Sequence, residues 1–251
     1  MDVTVIRDEL VEQMESRFKG NIYHWSQVVF SYNSNKMEGS RLTEDQVEMI
    51  FNQGSVITKE MEVLKLDDLT EARNHFQLVD FMLQHIDDPI SKEMMIEMNV
   101  ILKRNTSDEL NPRYNVGGFK VMENIISMFN VIETTAPAKV DEEIAKLIDS
   151  YNTIDSPGIE DIIHFHVMFE RIHPFGDGNG RVGRMIMFKE CLKHEIVPFI
   201  ISDQNKEFYI RGLQEYDNEK GFLLDTCLHS QDIYETMAEK FLPDKQQDLI
   251  R

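Results

Sequence analysis

Twelve consecutive residues, His173-Pro174-Phe175-Gly176-Asp177-Gly178-Asn179-Gly180-Arg181-Val182-Gly183-Arg184, bring together an imidazole, a carboxylate, an amide and two guanidinium groups. Pro174 cannot sit inside a helix, and Gly176, Gly178 and Gly180 allow backbone angles that other residues avoid, so the stretch reads as a tight loop. From Arg181 onward Val182, Met185, Ile186, Phe188 and Leu192 recur at three- and four-residue spacing, with no proline before Pro198, which predicts an amphipathic helix. The loop therefore opens a helix N-terminus, where unpaired amides and the positive end of the macrodipole favour an anion. Arg181 and Arg184, three apart, project from one face and suit further phosphate oxygens. Asp177 suits Mg²⁺ bridging those oxygens, and Asn179 adds a neutral donor. His173, with an ordinary pKa of about 6.5, suits a general base. The chemistry these parts serve is attack of a hydroxyl on a nucleotide phosphate. A calcium loop is disfavoured, because the twelfth position from Asp177 is Phe188 rather than a bidentate Glu.

Several helices must hold this loop. The apolar periodicity predicts helices over about 4–18, 67–86, 92–104, 139–151, 158–172, 205–216 and 222–241. Gly20 is expected to close the first, and the polar tail from Asp244 to Arg251 to be loosely ordered. The aromatic-rich segment from Tyr23 to Asn33 is read as helix on length. It leads to Gly39, a C′ residue, after which Thr43 to Gln46 supplies a capping box. His164 and His166, two apart on a helix, point too far apart to share a metal; either remains a candidate to orient His173. Between Thr106 and Pro137 the periodicity weakens, and Phe119 to Ile126 reads as a short hairpin.

The 251 residues carry a formal charge of −19, from 26 basic and 45 acidic side chains, which argues against nucleic-acid or anionic-membrane partners. No stretch approaches a membrane span of about 20 apolar residues, and the expectation is a cytoplasmic protein folding as one domain over 1–251. Cys191 and Cys227 are too few for a disulfide framework and are expected to be buried thiols.

The loop resembles the signature of the Fic family: His, any, Phe, any, Asp or Glu, Gly, Asn, Gly, Arg, two free positions, Arg. Every fixed position is met between His173 and Arg184. The resemblance implies an all-α helical bundle with a short β-hairpin flap, and transfer of AMP from Mg²⁺-ATP to a Ser, Thr or Tyr hydroxyl of a protein. It makes His173 the base, Phe175 a loop anchor, and Asp177 the Mg²⁺ ligand. Asn179 with the Gly178 and Gly180 amides becomes an anion hole, and Arg181 and Arg184 hold the outer phosphates. Fic relatives that move a γ-phosphate tend to have Lys where this chain has Gly180.

A second stretch, Ser34 to Gly39, resembles the inhibitory helix motif of the family, Ser or Thr, three free positions, Glu, then Gly or Asn, here at the end of a helix expected over about 23–39. If Glu38 pairs with Arg184, the guanidinium meant for the γ-phosphate is taken. The resemblance further implies a flap at about 117–126, with Phe119, Lys120 and Val121 against the target; the family often has Arg where this chain has Lys120. It also suggests Tyr209 and Leu213 as walls of an adenine pocket. The expected partner is a protein bearing a reactive hydroxyl, this chain itself included, and a homodimer burying the aromatic N-terminal region is a further expectation. Two alternatives stay open: a hydrolase removing AMP, with Glu38 positioning water, and a catalytically silent nucleotide-binding module.

Overall fold

The computed structural model describes residues 2–58, 60–61, 63–126 and 132–242. Ten α-helices are present among them: α1 Val3–Ser16, α2 Ile22–Met37, α3 Glu44–Gln53, α4 Leu66–Gln84, α5 Lys92–Lys103, α6 Pro137–Asn152, α7 Ile159–Ile172, α8 Asn179–Lys193, α9 Lys206–Gln214 and α10 Gly221–Phe241. Local chemistry sets many of their ends. Thr43 and Gln46 close both bonds of the expected capping box on α3, and Asn21 caps α2 by accepting from the His24 amide. Gly39 follows α2 with a φ of 97°, as a C′ glycine should. The first helix ends earlier than Gly20 suggested: Arg17 turns left-handed and caps it at Ser16.

One core runs from Ile6 to Ala238 and unites nearly all the helices. At its centre lies α8, contacted by α1, α2, α4, α5 and α7 and buried at every residue from Arg181 to Leu192. Its apolar stripe had suggested an amphipathic helix with a wet face. That face is instead dry because its polar members are paired, as where Lys189 bonds Glu190 at 2.7 Å. A smaller cluster of Val28, Leu42, Val47, Ile50, Ala72 and Phe76 seats α3 on α2 and α4. The aromatic residues of α2 are spent inside the chain: Trp25 packs on Tyr234 and Phe241, Phe30 on His75 and Phe188, and the Tyr23 hydroxyl donates to Asp80 at 2.6 Å.

The hairpin expected over 119–126 is not formed there. Residues 117–124 are turn and irregular chain, and the only strand pairing among the described residues is a two-residue antiparallel match, β1 Ile125–Ile126 with β2 Ile132–Glu133. The backbone of Lys120 is committed elsewhere, donating to the Pro174 carbonyl at 2.7 Å. Both cysteines are buried. No described helix is long and apolar enough to cross a membrane. The tail Asp244 to Arg251 lies outside the described residues.

Candidate active site

The twelve-residue loop joins the end of α7 to the start of α8, two helices packed closely enough that a Cβ on Gly183 would lie 2.7 Å from His166 Nδ1. His173 terminates α7 in a left-handed conformation (φ 52°, ψ 62°), its amide donating to Phe169 at 2.9 Å. A non-glycine residue there is strained by about 1–3 kcal/mol, and the surroundings over-determine it. Phe175 is buried against Phe119 and Phe169. The Phe175 amide donates to Asn179 Oδ1 at 2.8 Å, and Asn179 Nδ2 donates back to the Phe175 carbonyl at 2.9 Å. Gly176 presses on the Tyr114 backbone, which would lie 2.8 Å from any added Cβ. Asn99 and Asn124 donate to the carbonyls of Asp177 and Phe175, each at 2.9 Å. Gly178 then turns left-handed (φ 86°) and opens α8, whose first amides have no side-chain cap.

The His173 ring is about one-fifth exposed, with Nδ1 3.3 Å from the Glu170 carbonyl. A proton on Nδ1, donated to that carbonyl, leaves Nε2 as the basic atom. Burial pushes the imidazole pKa down to about 4, helped by the Lys120 ammonium. Neither candidate orienting histidine touches it: His164 is exposed and stacks on Tyr216, while buried His166 bonds the Tyr209 hydroxyl at 2.6 Å.

Around the start of α8 the charges are densely paired. Arg181, 2 % exposed, bonds Glu71 at 2.6 Å and Asp177 at 2.7 Å and reaches Asn35 at 3.3 Å. Lys103 touches Glu71 and Asp177, each at 2.5 Å, and Asp108. Burial works against ionised Asp177, but Arg181 and Lys103 outweigh it and hold the carboxyl down at about 2. Arg184 donates from Nη2 to Glu38 Oε1 at 2.7 Å and to the Ser34 carbonyl at 3.1 Å, and from Nε to the Ser34 hydroxyl at 3.1 Å. The Glu38 carboxylate rests against Gly180, where any Cβ would collide with it. It therefore lies at the positive end of α8, which favours a negative charge.

Glu38, Gly180, Arg184, His173 and Glu170 line a cleft of about 450 Å³, closed on the other side by Tyr209 and Leu213 of α9. The tertiary structure thus brings residues of α2, the loop and α9 to one cleft. Two expectations are corrected. Asn179, expected to offer its amide to a phosphoryl group, is buried and stitches the loop instead. Lys120, expected to face a target, is buried, its ammonium spent on Asn124, Thr134 and the Ile172 carbonyl; of Phe119, Lys120 and Val121, Val121 alone is exposed. Gly39 shapes the end of α2 rather than touching Arg184. The sequence reading missed Glu71, Lys103, Asp108 and Glu170. The first three lie far from the loop in the chain, but Glu170, three residues before His173 on a helix, shares its face and was legible. Burial drives the Glu170 carboxyl up to about 8, so it is largely neutral at pH 7.

Asp177 suits a hard cation: its carboxylate is held ionised and 40 % exposed at the loop mouth. With Glu71 and Asp108 it forms an acidic trio whose ligand atoms lie within 4.8 Å of one another.

Residues 89–191 match the family model described as Fic/DOC family. A probable protein adenylyltransferase of Aquifex aeolicus is 38 % identical over 72 residues, covering 29 % of this chain and 21 % of that protein. Protein adenylyltransferase fic-1 of Caenorhabditis elegans is 23 % identical over 218 residues, 83 % of this chain and 40 % of its own length. The chain thus spans between a fifth and two fifths of these relatives. A Fic domain containing signaling protein from Bacteroides thetaiotaomicron has the same fold, with a TM-score of 0.74 at 21 % identity over 94 % of this chain and 97 % of that one. A segment of C. elegans Fic-1 superposes with a TM-score of 0.67 at 19 % identity, over 93 % of this chain and 69 % of that one.

Proposed function

We propose that this chain is a protein adenylyltransferase held in check by Glu38. A target hydroxyl loses its proton to His173 Nε2, its oxygen attacks the α-phosphorus of ATP, and the bond to the leaving pyrophosphate breaks. Arg184 would receive the outer phosphates, and the uncapped amides of α8 the developing charge. Mg²⁺ on Asp177 would neutralise phosphate oxygens. The observation that carries the reading is the Glu38–Arg184 ion pair, lying in the same cleft as His173 and against the head of α8. While it persists, the triphosphate meets a carboxylate instead of a free guanidinium. The partner is a protein with an accessible hydroxyl; exposed Val121 and Met122 beside the loop offer it an edge to lie against.

The test is to incubate the Glu38→Gly variant and a lysate with α-labelled and, separately, γ-labelled ATP. Protein label from the α position alone is expected; label from the γ position alone would exclude AMP transfer.

A further inference from the structure

The acidic trio of Glu71, Asp108 and Asp177 is not vacant. Lys103, at the C-terminal end of α5 and 2 % exposed, places its ammonium against a carboxylate oxygen of all three, at 2.5 Å from Glu71 and from Asp177 and also in contact with Asp108. The three acids come from α4, the segment after α5 and the catalytic loop, so the lysine fills the place where oxygens from separate elements converge. An ammonium and a divalent cation cannot share those oxygens, since like charges so close repel strongly. Arg181 takes the same Asp177 Oδ2 at 2.7 Å, adding a second cation.

We infer that Lys103 is a built-in cation that denies Asp177 and its acidic neighbours a divalent metal until a triphosphate supplies further oxygens. The inference rests on the reading of Asp177 as the metal-bearing carboxylate. Metal and nucleotide then bind in obligatory order, and divalent ions alone leave the loop unaltered. Lys103 is accordingly a positioning residue for the cation.

Mn²⁺ binding followed by electron paramagnetic resonance tests this without any turnover. In the Glu38→Gly background, where Arg184 is free for the triphosphate, the protein should bind Mn²⁺ at least tenfold more weakly alone than with a non-hydrolysable ATP analogue. Lys103→Ala and Lys103→Gln should each bind Mn²⁺ without nucleotide at least tenfold more tightly than wild type, and adding Asp177→Asn should abolish that gain. Glu38→Gly protein binding Mn²⁺ equally well with and without the analogue would overturn the inference, whether or not the Lys103 variants fold. So would folded Lys103 variants that gain nothing. If AMP transfer fails but the Mn²⁺ pattern holds, only the assigned activity is lost.

Discussion

Glu38 and Arg184, 146 residues apart in sequence, meet at 2.7 Å directly above Gly180. A charge-assisted hydrogen bond of this kind is worth about 1.5–3 kcal/mol, which corresponds to roughly 10–150-fold in an equilibrium constant. Glu38→Gly should therefore raise productive ATP affinity and AMP transfer by about that range, read by titration calorimetry and label incorporation. Without nucleotide the variant should melt lower than wild type, because buried Arg184 loses the carboxylate it is paired with, and saturating ATP should restore the loss.

Because His173 titrates near 4, its basic form persists well below neutral pH. In the Glu38→Gly background the acid limb of kcat/KM should fall well under the ordinary histidine value of about 6.5. The groups acting on the ring are Lys120, Glu170, Glu38 and Asp177. Removing the Lys120 charge with Lys120→Met should move the limb upward, and Lys120→Arg should return it. An unmoved limb would show that burial alone sets the value.

Gly176→Ala should destabilise the chain by about 1–3 kcal/mol, since its Cβ would lie 2.8 Å from the Tyr114 backbone, which has no side-chain freedom to yield. Denaturant melts measure the cost. AMP transfer should fall further than stability does, because the loop carrying His173 and Asp177 shifts with it.

Glu170 gives a stability signature of defined sign. Its folded pKa of about 8 exceeds the ordinary glutamate value of 4.5, so the folded state keeps a proton that the unfolded chain releases. That contribution is complete below 4.5 and is lost as pH rises to 8. Glu170→Gln cannot ionise, so its melting temperature should match wild type near pH 4.5, rise above it through the interval and level off beyond pH 8. A constant gap across this range would refute the buried neutral acid.

Local sequence was sufficient for much of this chain. The periodicity of α4, α5, α7 and α10, the capping box at Thr43 and the glycine at 39 depend on neighbours within a few residues, so they were legible without a fold. The spacing from His173 to Arg184 likewise announced a tight loop opening a helix, and α8 begins at Asn179. The short-range signal failed where long-range packing takes over. Residues 119–126 read as a short hairpin, yet the Lys120 amide and ammonium are drawn to the carbonyls of Pro174 and Ile172. Asn179 had the type of an anion donor, but its proximity to Phe175 in the folded loop makes it a staple.

What the linear chain determined was its inventory: a base, a carboxylate, two guanidinium groups and a distant glutamate, each in a helix or turn set by adjacent residues. What only the tertiary structure decided was the pairing. Glu38 finds Arg184, and Lys103 finds Glu71, Asp108 and Asp177, only because α2, α4 and α5 pack around α8. Ion pairs strengthen steeply as distance shortens and water is excluded, and neither quantity is written in the spacing of residues along the chain.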